Sequence, residues 1–117
     1  DSLNAVCKSV KGSTVLLLGV TYKADIRDQR ETPALPLATK LCEMGAEVRY
    51  FDPYVDNFVV KGREIGREVD LTAALQWSDL AVLVQAHTEI VDSESISVAR
   101  QVLDTRGVLT GDNVERL

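Results

Sequence analysis

From Gly19 to Pro33 the chain reads GVTYKADIRDQRETP, and six of these residues are charged: Lys23, Asp25, Arg27, Asp28, Arg30 and Glu31. Arginine forks onto pairs of phosphate oxygens, lysine offers a compact charge, and a helix opening at Pro33 adds the positive end of its dipole. Residues of these types, this close together, suit the binding of a phosphorylated ligand. The three cations and three anions of the run cancel. The pattern is therefore that of a site in which Asp25, Asp28 and Glu31 orient particular basic groups, rather than a diffuse anion-attracting patch. The competing reading is a set of solvated surface ion pairs, each contributing about 0 to 1 kcal/mol. A dinucleotide fingerprint would need GxGxxG here, and Gly19 is followed by Val20, Thr21 and Tyr22, so the turn is not a conventional pyrophosphate cradle.

The elements around the run explain how it is held. Val15 to Leu18 is an unbroken apolar stretch, as is Leu80 to Val84, and both suit central strands of a parallel sheet covered on two faces. Between Pro33 and Met44 the residues Ala34, Leu35, Leu37, Ala38, Leu41 and Cys42 recur at helical spacing, with Thr32 as N-cap, Pro33 at the first helical position and Gly45 at the end. Glu47 to Phe51 makes the next strand, closed by Asp52 and Pro53. Val59 and Val60 read as a short edge strand before a turn at Lys61 and Gly62. Asp70 caps a short helix through Trp77, Asp92 to Ser95 opens a helix to about Arg100, and a strand follows near Val102 and Leu103. A loop as long as Gly19 to Thr32 stands out, since such connections usually take about two to six residues.

Alternating strands and helices predict an α/β fold: a three-layer, Rossmann-like, doubly wound and mainly parallel sheet with helices on both faces. Such sheets bind ligands beyond the carboxyl ends of their strands. The charged loop, Asp52, His87 and Arg106 all follow strands and emerge at that edge. Residues 1–12 read as a linker or the end of a preceding helix, and 13–117 as one domain. The start at Asp1, without an initiator methionine, predicts a piece of something longer.

A net charge of −5 and a pI near 4.8 argue against a domain that coats nucleic acid. No run approaches the roughly 18 apolar residues of a membrane helix, and a cytoplasmic protein is expected. Cys7 and Cys42 offer neither a disulfide framework nor a zinc spacing, and Cys42, on the apolar face of its helix, reads as a structural thiol. No metal site is expected.

The run GVTYKADIRDQRETPA, continued by GAEVRYFDPYV, SDLAVLVQAH and the late DTRGV, closely resembles the C-terminal domain of the UDP-glucose/GDP-mannose dehydrogenase family, the nucleotide-sugar 6-dehydrogenases. The family pattern is met at Gly19, Tyr22, Lys23, Asp28, Arg30, Glu31 and Thr32, and again at Gly45, Asp52 and Pro53. The resemblance covers essentially the whole chain. It implies an enzyme that oxidises a nucleotide sugar to its uronate in two NAD-dependent steps through a cysteine-bound thiohemiacetal and thioester, as a homodimer or larger assembly. Of that enzyme this chain matches the domain that closes over the UDP part of the substrate. The NAD-holding domain and the nucleophilic cysteine belong upstream, so no catalytic residue is expected here and the chain alone should turn nothing over.

Carried over position by position, the resemblance makes Tyr22 and Lys23 contacts to the sugar nucleotide, Arg30 a contact to the NAD phosphates across a domain interface, and Arg106 an arginine that approaches the substrate. Tyr22 and Pro33 lean toward the branch acting on UDP-N-acetylmannosamine or UDP-N-acetylglucosamine over that acting on UDP-glucose. His87 stands where several members of that branch read Asp-His, although Ala86 precedes it here; a lone histidine at a strand end is more often a satisfied structural group. A different class of function remains open beside this one, a stand-alone flavodoxin-like regulatory or interaction domain comparable to a receiver module. It would need a phosphorylatable aspartate in an acidic cluster. Pro53 directly after Asp52, and Gln85 after LAVLV, do not supply one.

Overall fold

A computed structural model describes residues 10–117. The first nine positions, and with them Cys7 and most of the expected linker, lie outside the described residues. The elements run β1 (Thr14–Leu18), α1 (Ala34–Glu43), β2 (Glu47–Phe51), β3 (Val59–Val60), β4 (Arg63–Glu64), β5 (Gly66–Glu68), α2 (Leu71–Trp77), β6 (Leu80–Leu83), α3 (Thr88–Val91), a 3-10 turn (Glu94–Val98), β7 (Val102–Asp104) and β8 (Val114–Arg116). Six strands form one sheet in the order β5-β2-β1-β6-β7-β8, and each neighbouring pair is parallel. This is the expected doubly wound α/β sheet.

Its two faces divide the apolar residues of every central strand. Val15 and Leu17 of β1, Val48 and Tyr50 of β2 and Val82 of β6 pack with Ala34, Ala38 and Leu41 of α1. Leu16 and Leu18, Ala81 and Leu83, and Val102 pack on the other face with Ala74 and Leu75 of α2, with Ile90 and with Ile96. Successive side chains of a strand point to opposite faces, so an unbroken apolar run is what a sheet covered on both sides requires.

Local chemistry sets the ends of the helices. Pro33 has helical geometry (φ −65°, ψ −15°), and the Ala34 amide donates to Thr32 Oγ1 at 3.1 Å, as the Thr-Pro start predicts. At the other end the Ala46 amide reaches Leu41 O and the Gly45 amide reaches Cys42 O, a Schellman closure. Asp70 caps α2 by accepting from the Ala73 amide at 3.1 Å.

Two expectations need correction. Val59–Val60 is not an edge of the main sheet; it pairs antiparallel with Arg63–Glu64 in a separate ribbon, turned at Lys61 and Gly62, and the edge position belongs to β5. The helix expected from Asp92 to Arg100 is instead the one-turn α3 followed by a 3-10 turn. Ser93 Oγ accepts the Ser95 amide, Ile96 O takes the Ala99 amide in a 3-10 bond, and Asn113 Nδ2 donates to the carbonyls of both Ile96 and Ala99 where a longer α-helix would have placed its own amides. The short edge strands β5 and β8 carry no strong apolar run and escape a reading of the sequence.

Candidate functional site

The strand order reverses at β1, with β2 on one side and β6 on the other, so the connections leaving β1 and β6 diverge above the sheet. The charged loop fills this switch point. Gly19 begins it at φ +83°, and a Cβ there would lie 2.8 Å from both Cβ and O of Gln85. The glycine is required because the ends of β1 and β6 approach so closely, which accounts for it without any pyrophosphate.

Beneath the loop lies a buried polar network. His87 is fully buried. The Asp25 amide donates to its Nδ1 at 2.8 Å, so that nitrogen carries the lone pair and the ring proton sits on Nε2. Nε2 donates to Asp52 Oδ2 at 2.9 Å, with Thr21 Oγ1 beside it at 3.3 Å. Asp52 is 1 % exposed, and its other bonds come from the Val20 amide to Oδ2 at 2.7 Å and the Tyr54 amide to Oδ1 at 2.8 Å. The Tyr54 ring covers the imidazole, with centroids 4.9 Å apart. Among the described residues no buried side-chain nitrogen or oxygen lacks a partner. A phosphorylatable aspartate must face solvent, so Asp52 cannot serve as one, and the receiver reading loses its candidate.

The network sets the backbone that presents the exposed groups. Thr21 Oγ1 donates to Lys23 O at 2.6 Å, Gln85 Nε2 to Tyr22 O at 2.9 Å, and Thr32 Oγ1 to Thr21 O at 3.0 Å. Asp25 and Glu31 take left-handed backbone (φ 61° and 56°), which non-glycine residues hold only where surrounding contacts impose it. Thr88 donates its amide and hydroxyl to the Asp25 carboxylate, both at 2.7 Å, and these bonds hold that carboxyl below its ordinary range. Asp28 grips Arg30 through both carboxylate oxygens, at 3.1 and 2.9 Å. The Arg30 side chain and then its amide lower the Asp28 carboxyl to about 2. The Arg30 side chain is still 88 % exposed and free to meet a further anion.

Tyr22, Asp28, Arg30 and Glu31 line an open cleft of about 440 Å3, and Lys23 Nζ lies 5.7 Å from the Tyr22 ring centroid. Tyr22, Lys23 and Arg30 are thus brought to one surface. Arg106 is not in this cleft. It follows β7, two strands from β1, and its amide joins those of Gly107, Val108 and Leu109 in binding the buried Asp104 carboxylate at 2.7–2.9 Å. Burial alone would raise Asp104, but the four amides outweigh it and hold the carboxyl below its ordinary value. A hollow of about 490 Å3 beside the 3-10 turn is lined by Glu94, Asp112 and small neutral residues without one basic group, and suits an anion poorly.

Cys42 is half-buried against the α1 core, and desolvation raises its thiol above the ordinary value, which disfavours the thiolate. Among the described residues no three His, Cys, Asp or Glu gather to hold a metal, and no helix is long and apolar enough to cross a membrane. The residues that sequence reasoning passed over as site-builders are Thr21, Thr32 and Gln85. Each is a buried polar side chain at a strand or helix end, and that position is the signal that could have marked them.

Residues 16–113 match the model of the UDP-glucose/GDP-mannose dehydrogenase family, UDP binding domain. The UDP-glucose 6-dehydrogenase TuaD of Bacillus subtilis (strain 168) is 28% identical over 116 residues, covering 97% of this chain and 25% of that protein. The UDP-N-acetyl-D-mannosamine dehydrogenase of Methanocaldococcus jannaschii is 32% identical over 110 residues, covering 87% of this chain and 24% of that protein. The chain thus spans about a quarter of the length of these relatives. The structure of the NDP-N-acetyl-D-galactosaminuronic acid dehydrogenase from Methanosarcina mazei Go1 shares the fold, with a TM-score of 0.77 at 22% identity over 98% of this chain and 27% of that one. The family model takes in strands of the main sheet from within β1 through β7 together with the charged loop, and the chain belongs to the UDP-glucose/GDP-mannose dehydrogenase family as its UDP binding domain.

Proposed function

We propose that residues 13–117 are the domain with which an NAD-dependent nucleotide-sugar 6-dehydrogenase holds the UDP part of its substrate. The observation that carries this reading is the cleft at the switch point, where Tyr22, Lys23 and Arg30 stand exposed on a loop whose backbone is bonded to the ends of β2 and β6. Lys23 supplies charge to the diphosphate, and the Tyr22 ring a flat face beside it. Arg106, on the turn after β7 and two strands from β1, would approach the same substrate from beyond β6. The presence of Tyr22 and Pro33 favours a UDP-N-acetylhexosamine over UDP-glucose.

NAD would accept the hydride from the sugar alcohol. The described residues form no dinucleotide cradle, since Gly19 is accounted for by Gln85, but the exposed guanidinium of Arg30 fits a contact to a dinucleotide phosphate from outside. Asp28 keeps that guanidinium extended toward solvent. The rest of the cofactor site and the nucleophilic cysteine then belong to other parts of a cytoplasmic enzyme, a homodimer or larger, and this chain by itself reduces no NAD.

Titrating the chain with UDP and following its amide resonances tests the reading. Shifts are expected from Gly19 to Thr32, and Lys23→Ala should weaken the response by about tenfold or more, the worth of one charge-assisted phosphate contact. Undiminished shifts in Lys23→Ala, or NAD reduction by the chain alone, would refute it.

A further inference from the structure

The side chains offered to the ligand, Tyr22 and Lys23, are exposed, so their placement is decided by the backbone beneath them. That backbone is tied to the segment after β6 at Gln85, His87 and Thr88. Of these ties, one reaches further. His87 accepts the Asp25 amide on Nδ1 and donates from Nε2 to Asp52, so a single ring spans from the loop after β1 to the end of β2. Asp25 is held in left-handed backbone at φ 61°, a conformation unfavourable for most L residues and tolerated by aspartate where hydrogen bonds hold it.

We infer that His87 is a positioning residue: its Nδ1 lone pair retains the Lys23–Asp25 turn in the conformation that presents Tyr22 and Lys23 to a nucleotide diphosphate, and its Nε2 proton anchors that turn to Asp52. The inference rests on the reading of the cleft as a UDP site. It gives the buried histidine a task that packing alone would not need, because a packing role is indifferent to which nitrogen carries the proton.

Two near-isosteres separate these roles. In His87→Asn the side-chain amide oxygen takes the place of Nδ1 and still accepts from the Asp25 amide. In His87→Gln the longer amide reaches toward Asp52 from the place of Nε2 and leaves the Asp25 amide unpaired. In the ligand-free chain, His87→Gln should speed hydrogen exchange at the Asp25 amide by about tenfold, while His87→Asn, which keeps that bond and loses only the anchor to Asp52, should speed it by about threefold at most, and UDP affinity should fall in the same order. Equal exchange at Asp25 in the two variants, or a common drop in melting temperature with unchanged UDP affinity, would overturn the inference. If the parent shows no UDP response, the proposed function fails, and Asp25 exchange alone decides whether His87 holds the turn. The chain has one histidine, so a long-range proton–nitrogen spectrum of the parent reports its tautomer without any variant. A proton on Nε2 is expected, and a proton on Nδ1 overturns the inference even if neither variant folds.

Discussion

Two aspartates end two strands at the same edge of the sheet, both are buried, and they do opposite things. Asp104, the last residue of β7, binds four amides that all lie within the next five residues, from Arg106 to Leu109. Asp52, after β2, binds one near amide, at Tyr54, and two partners more than thirty positions away, Val20 and His87. The first carboxylate folds its own turn. The second joins three connections that have no local reason to meet. A loop as long as the one after β1 needs the second kind of support, because no short-range bond can hold a long excursion of chain against its own entropy.

Removing each carboxylate should expose the difference. Asp104→Ala leaves four amides without an acceptor and is expected to cost about 3 kcal/mol in thermal or urea unfolding, with lost amide protection confined to residues 105–109. The UDP response of the Gly19–Thr32 loop should survive it. Asp52→Asn is expected to cost less, about 2 kcal/mol, because the amide oxygen still accepts while the new NH2 group must face a donor. Its chemical-shift changes should nevertheless appear at residues 20–25, 54 and 87–88. Changes limited to 52–54 would show that Asp52 is as local as Asp104, and the contrast between them would fail.

Acid should act on the Asp104 turn in a defined window. Its carboxyl is held lower in the folded chain than its unfolded value of about 3.9. The stability it confers is therefore present in full above the unfolded value and is lost as pH falls through the lower folded value. In Asp104→Asn the part of the acid limb of the melting curve due to this group should be absent. A parent and variant with superimposable acid limbs would remove Asp104 as its source.

The smallest stability effect is expected on the exposed surface of the loop. Arg30→Ala breaks a bidentate pair with Asp28 that is open to solvent and screened by salt, so the melting temperature should stay within error of the parent. The residue's worth would appear in cofactor affinity of the complete enzyme. A marked loss of stability in this variant would make the pair structural and reassign Arg30 from binding to folding.

Much of this organisation is legible in the residues. The two-faced apolar runs of β1 and β6, the Thr-Pro opening and glycine closing of α1, and the cap at Asp70 are local patterns with local causes, and they appear where expected. So does the charged loop, whose composition marks it before any fold is known. The ribbon of β3 and β4, the edge strands β5 and β8 and the 3-10 turn are not legible in that way. They are short, and their placement depends on partners elsewhere, as when Asn113 takes the carbonyls that a helix after Ser93 would have used.

By itself, then, the sequence determined a parallel α/β sheet, the edge at which the charged loop emerges, and the residue types offered there, because periodicity, caps and charge act over a few residues at a time. Only the tertiary structure decided that Tyr22, Lys23 and Arg30 share one surface while Arg106 stands two strands away. It alone placed His87 and Asp52 under the loop as its support. Those outcomes depend on hydrogen bonds between residues as far apart as 22 and 85, or 25 and 87, and such pairings come into being only when the strands that carry them are laid side by side.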